Sequence, residues 1–236
     1  MSRPSVRRAL RRAGGAEPPP RSPRGAGARN LGRIPPQKIF LSGEAEDAGP
    51  VDFAAVFGRV APVEMEIGVG KGRFLLAAAA ERPDRNWFGL EIEPGYAEIV
   101  RLKAERAGLL NLRIERLDGK AFVIRRLSAG CLAGIHVYFP DPWPKKRHHK
   151  RRLVDAEWAA AAARALASGC LLRVASDHEE YFPVIDDALS NEPLLEKLSP
   201  EEAGDWSTGT SYELKFLKSG RPIQRAIFRR RPADAG

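Results

Sequence analysis

From Val63 onward, short apolar runs alternate with longer segments in which apolar residues recur at helical spacing. The runs VEMEIG (63–68), NWFGLEI (86–92), LRIERL (112–117), GIHVYF (134–139) and CLLRVAS (170–176) read as strands. The spacing between them predicts helices near 73–81, 95–107, 119–127, 153–167 and 179–189. Such alternation argues for an α/β fold in which a mostly parallel sheet is covered by helices on both faces. The pattern changes at the end, where YELKFLKSGRPIQRAIFRR (212–230) reads as two strands joined by a Ser-Gly turn, an antiparallel hairpin at the sheet edge.

Residues 1–33 lack this patterning. They are rich in Arg, Pro, Gly and Ala, with almost no large apolar side chains, so they cannot bury enough surface to offset ordering entropy. The expected organisation is therefore a flexible basic arm followed by one folded domain over 34–236. Three readings of the arm stay open: an uninvolved tail, an electrostatic tether to a phosphate backbone, and an Arg-rich transit segment.

Charge narrows the class of partner. The 39 Lys+Arg against 30 Asp+Glu give a net charge of +9, which favours a polyanion such as nucleic acid or an anionic membrane surface. No apolar run approaches the roughly 18 residues of a spanning helix, and the basic N-terminus lacks a secretory apolar core. A cytoplasmic protein is expected. Cys131 and Cys170 are far apart in sequence and read as reduced thiols, and the adjacent His148 and His149 point apart, so no metal site is expected. No exposed apolar stripe stands out, and a monomer is expected.

Candidate chemistry begins at MEIGVGKGRF. Gly68, Gly70 and Gly72 allow a tight turn and close backbone approach, and the helix that follows presents unpaired N–H groups. The spacing G-x-G-x-G differs from the G-x-G-x-x-G of dinucleotide folds, and a plain tight turn remains an alternative. Glu91 follows the second strand, where a carboxylate can accept from both hydroxyls of a ribose. Asp118 follows the third, placed to meet an adenine amino group, and Glu66 precedes the first glycine. So much negative charge would repel a pyrophosphate and favour a cationic cofactor such as S-adenosylmethionine. Taken singly, each acid also reads as an ordinary loop carboxylate.

The fourth strand runs into FPDPWPKKRHHKRR. Asp141 lies between two prolines that restrict its backbone, and Trp143 is either a stacking platform for a base or a packing residue. Lys145 to Arg152 hold six Lys or Arg in eight positions, which would place phosphates beside the reacting centre. One group handles chemistry and its neighbour grips the polyanion. An NAD-dependent oxidoreductase, a non-enzymatic RNA-binding module, and a methyltransferase for another RNA or base are the rival readings.

EIGVGKGRF, GLEIEPGY, LDGKAF, FPDPWPKKRHHKRRL and VASDHEEY, in this order, closely resemble the bacterial tRNA (guanine-N(7)-)-methyltransferases over Arg29 to Arg229. The resemblance implies a Rossmann-like class I methyltransferase fold and methyl transfer from S-adenosylmethionine to the seven-position nitrogen of the variable-loop guanosine, position forty-six, of tRNA. It implies cofactor-binding roles for Glu66, Glu91, Asp118 and Asp141, with Asp141 also the catalytic position. Substrate contacts would be Lys145, Asp177, Thr210, Ser211, Tyr212 and Glu213, and the RNA-contacting run Arg147, His148, His149, Lys150, Arg151 and Arg152. Ser211 stands where the family commonly has lysine, and Lys215 or Lys218 is expected to compensate.

Overall fold

The strand–helix alternation folds into one sheet whose two faces are both covered by helices. The computed structural model describes residues 49–204 and 208–232, all within one compact unit, so the predicted arm over 1–33 lies outside the described residues. In chain order the elements are α1 (Phe53–Phe57), β1 (Val63–Ile67), α2 (Arg73–Glu81), β2 (Asn86–Leu90), α3 (Pro94–Arg106), β3 (Leu112–Glu115), α4 (Gly119–Arg126) and β4 (Leu132–Tyr138). A 3-10 segment over Lys146–Arg151 follows, then α5 (Ala156–Ala165), β5 (Leu166–Ser176), α6 (Phe182–Ser190), β6 (Leu195–Lys197), α7 (Pro200–Ala203), α8 (Ser211–Lys218) and β7 (Gln224–Arg230).

The seven strands run in the order β3-β2-β1-β4-β5-β7-β6. The first five are parallel to one another, whereas β7 pairs antiparallel with both β5 and β6. The chain builds outward from β1 to β3, then returns to lay β4 on the other side of β1. That reversal opens a crevice beyond the carboxyl ends of β1 and β4, where such folds bind ligands.

The antiparallel edge forms differently from the predicted hairpin. Residues 211–218 are helix, and the partner of β7 at the edge is the three-residue β6. Thr210 caps that helix by accepting from Glu213 N–H at 3.1 Å, a local signal that outweighs the alternating apolar pattern of Tyr212, Leu214 and Phe216. The Ser-Gly turn survives as the helix end, with Gly220 left-handed at φ 68°.

The two sheet faces differ in chemistry. One is apolar: Met65, Phe88, Ile135, Val137, Val174 and Phe228 pack with Phe122 of α4, Trp158 of α5 and Ile185 of α6. The other packs Trp87, Leu112 and Ile114 under α2 and α3, through Leu75, Ala97 and Val100. That face also carries Glu64 and Glu66 on β1 and His136 on β4, all buried. Gly72 starts α2 at φ 73°, and a Cβ there would lie 2.5 Å from Val100 Cγ2, so close helix packing as well as chain reversal demands glycine.

Candidate active site

The glycine loop leaves β1 between two acids. Gly68, Gly70 and Gly72 all have positive φ, and a Cβ on Gly68 or Gly70 would meet open space, so this backbone faces a cavity. Glu91, just past β2, pins the loop: its Oε2 accepts from Gly70 N–H at 2.8 Å and its Oε1 from Glu93 N–H at 2.9 Å. Glu66 is buried at 2% exposure, and its Oε2 has no hydrogen-bond partner among the described residues. Burial, and then the charge of Glu91, push the Glu66 carboxyl well above its ordinary range, partly offset by a backbone hydrogen bond from Leu75 at the start of α2.

The cavity measures about 310 Å³. Its walls combine Glu66, the loop from Gly68 to Lys71, and Arg73 and Phe74 of α2 with Tyr96, Tyr138, Thr210, Ser211, Tyr212 and Lys215. The fold thus brings the glycine loop and the start of α8 together across some 140 residues of sequence. Ser211 and Lys215 are one turn apart on α8 and share this wall, placing an ammonium close to the position where the resemblance expects a lysine. Burial, followed by the charges of Tyr96, Asp141, Glu91 and Asp177, raises the Tyr212 phenol, so those groups share one electrostatic neighbourhood.

Asp141 is exposed at the rim beyond β4. Phe139 (φ 55°) and Trp143 (φ 44°) flank it in left-handed backbone, a conformation costly for aromatic residues and held here by neighbours. The Phe139 ring lies 5.4 Å from Phe216 and 6.0 Å from Tyr212, which ties this turn to α8. Asp118 is exposed and caps α4, its Oδ1 accepting from Lys120 and Ala121 N–H at 2.8 and 3.1 Å. A side chain on the next residue, Gly119, would overlap Ile67 at the end of β1, so the absence of one brings Asp118 to the same rim.

The basic run divides. Lys145, Arg147, His149, Lys150 and Arg151 are exposed, and His148 is half-buried against Trp143, with ring centroids 5.9 Å apart. Arg151 lies over the Trp143 ring at 5.0 Å, so that indole packs within the cationic segment. Arg152 is buried: its Nε donates to the Pro142 carbonyl at 2.9 Å and its guanidinium lies 4.6 Å over Tyr181. Its role in the fold is to brace the Asp141 turn.

Two expected substrate contacts are also engaged internally. Asp177 Oδ2 accepts from Arg221 at 2.6 Å. Glu213 is fully buried, accepting from Gly209 N–H at 2.8 Å and Thr208 Oγ1 at 3.1 Å and pairing with Arg225 of β7. Thr210 and Glu213 therefore build the end of α8 that displays Ser211 and Tyr212.

Sequence reasoning passed over a chain of buried polar groups behind the cavity. Arg85 ion-pairs with Glu64, Glu64 Oε2 lies 2.9 Å from His136 Nε2, and His136 Nδ1 lies 2.8 Å from the Tyr138 hydroxyl. Glu64 and Gly134 are register partners, and any side chain at 134 would overlap the Glu64 carboxylate. Two acids spaced by two in a five-residue buried strand were the signal that could have found it, because such strands normally read as apolar throughout.

A family model described as "Putative methyltransferase" matches residues 60–226. A protein of Cupriavidus necator named tRNA (guanine-N(7)-)-methyltransferase is 40% identical over 190 residues, 78% of this chain and 72% of its own. The chain belongs to the tRNA (guanine-N(7)-)-methyltransferase family. A second family member, from Ralstonia nicotianae, is 40% identical over 190 residues, 79% of this chain and 75% of its own. Among solved structures, the 16S rRNA methyltransferase KamB superposes with a TM-score of 0.54 at 18% identity, covering 78% of this chain and 96% of that one. The [4+2]-cyclase SpnF gives 0.52 at 11% identity over 73% and 76%. These two likenesses establish the class I methyltransferase architecture and nothing about chemistry.

Proposed function

We propose that the chain transfers the methyl group of S-adenosylmethionine to the seven-position nitrogen of a tRNA guanosine, the variable-loop residue at position forty-six. Supporting this reading most directly is a cavity with a buried Glu66 carboxyl oxygen that has no hydrogen-bond partner among the described residues and an open glycine backbone, beside the strained Asp141 turn and its exposed cations.

The residues present fit the methyl donor. Glu66 can face a positive centre, Lys71 and Arg73 on the cavity wall can take a carboxylate, and Gly68 and Gly70 leave room for close backbone approach. Asp118 offers its second carboxylate oxygen to an adenine amino group, and Glu91 holds the loop while offering remaining lone pairs to a ribose. When bound, the donor supplies an electrophilic methyl group on a cationic sulfur.

The target nitrogen carries an in-plane lone pair and no proton, so the chain needs no general base to prepare it. Positioning and electrostatics then carry the rate, and good alignment is worth roughly 7–11 kcal/mol in favourable cases. Asp141, fixed by its prolines, stabilises the positive charge that develops on the guanine and accepts from its N–H edge. Lys145, Arg147, His149, Lys150 and Arg151 hold phosphates beside it.

The deciding experiment incubates the protein with methyl-labelled S-adenosylmethionine and unmodified tRNA, then maps the labelled nucleotide. Seven-methylguanosine at position forty-six is the expected product. Label at another nucleotide, or none, would overturn the assignment.

A further inference from the structure

The chain from Arg85 through Glu64 and His136 to Tyr138 fixes the direction of every hydrogen bond within it. Glu64 is 7% exposed. Burial opposes its charge, but the hydrogen bond from His136, with the charges of Arg85 and Arg173, outweighs that and holds the carboxyl below its ordinary range. His136 is wholly buried, and desolvation keeps its imidazole neutral despite the adjacent carboxylate. A neutral imidazole facing a carboxylate through Nε2 must carry its proton there, which leaves Nδ1 as an acceptor. The Tyr138 hydroxyl, 2.8 Å from Nδ1, must then donate to it. Burial also raises the Tyr138 phenol, so that proton stays in place at neutral pH.

Tyr138 also lines the cavity, edge-on to Phe74 with ring centroids 5.0 Å apart. We infer that the Arg85–Glu64–His136 chain is a positioning device that makes the Tyr138 oxygen a hydrogen-bond acceptor toward the ligand, selecting an N–H donor. A hydroxyl free to rotate would serve donors and acceptors alike. One already committed as a donor rewards only groups that donate to it, N–H among them, and penalises an acceptor placed against it. Gly134 is part of the device, since only glycine leaves room for the Glu64 carboxylate to reach His136 across the sheet. The inference rests on the proposed methyl transfer for the identity of the donor, which is either the ammonium of the methyl donor's amino-acid end or the N–H edge of guanine.

Tyr138→Phe keeps the ring and removes the oxygen. If the ammonium is the donor, calorimetry shows the variant binding S-adenosylhomocysteine about tenfold more weakly, while the deaminated analogue binds both proteins equally. If the guanine edge is the donor, S-adenosylhomocysteine affinity is unchanged and the KM for tRNA rises by about the same factor. Unchanged affinity together with unchanged KM overturns the inference. Nitrogen-15 NMR of histidine-labelled wild-type protein without ligand is expected to show His136 neutral and protonated on Nε2. A proton on Nδ1, or an imidazolium at neutral pH, overturns it independently of any ligand. Wild-type methylation of tRNA alongside an unaffected Tyr138→Phe removes only this inference, whereas no wild-type methylation removes the proposed function and leaves the tautomer to be judged alone.

Discussion

Glu66→Gln tests whether the cavity holds a carboxyl at a cost to stability for the sake of a cation. The side chain is 2% exposed, one oxygen lacks a partner among the described residues, and the Glu91 charge adds to the burial penalty. The folded-state pKa therefore lies well above the ordinary 4.5. Between those two values the unfolded chain has lost this proton and the folded chain keeps it. The stabilisation is thus complete below the unfolded value and drains away as pH rises toward the folded one, at about 1.4 kcal/mol per pH unit. Glutamine has no such dependence. Urea unfolding of both proteins at a series of pH values, compared as a difference so that other titrations cancel, should show the variant gaining on the wild type by about 1.4 kcal/mol per unit through that window. Affinity moves the opposite way: wild-type binding of S-adenosylmethionine strengthens as pH rises and Glu66 ionises, and the variant binds weakly without that dependence. Parallel stability curves with undiminished affinity would refute both the raised pKa and the role of Glu66 toward a cation.

Other substitutions separate chemistry, RNA binding and stability. Asp141→Ala should lower kcat for tRNA methylation by about 10²-fold or more while tRNA affinity stays within a few-fold, and a near-normal rate would exclude a role for this carboxylate in the transition state. Neutralising Arg147, Lys150 and Arg151 should flatten the logarithmic salt dependence of tRNA binding by about 0.7–0.9 for each phosphate that is no longer neutralised, whereas Arg152→Ala should instead cost on the order of 2 kcal/mol in urea unfolding through the freed Pro142 carbonyl. Gly134→Ala should displace Glu64 from His136 and destabilise the fold by roughly 3 kcal/mol, and a loss under about 0.5 kcal/mol would show that the buried chain tolerates rearrangement.

The parallel half of the fold was legible because its strands are mostly apolar runs followed closely by a glycine, proline or acid, and those punctuation marks are also where the candidate site is proposed. Glu66, Gly68, Glu91, Asp118 and Asp141 are candidates because they lie next to strand ends. The last segment misled because Tyr212, Leu214 and Phe216 alternate as a strand would, while the capping pair Thr210 and Glu213 specifies a helix. Local pattern could not reveal which polar residues are consumed internally. Arg152 reads like its neighbours, yet its partners Pro142 and Tyr181 are supplied by the tertiary fold. Glu213 likewise looks free to bind substrate until β7 brings Arg225 against it.

That division between presented and consumed charge shows how a basic protein could hold the proposed site for a cation. The cations of the 3-10 segment face solvent, where a polyanion can reach them, and Arg85, Arg152 and Arg225 are committed to buried or partly buried carboxylates and carbonyls. Among the described residues, Glu66 has a buried carboxyl oxygen with no hydrogen-bond partner, although 39 Lys and Arg are in the chain. Held at the end of β1 against the helix start and the Glu91 charge, that oxygen is where the proposed cationic ligand would supply the compensating charge.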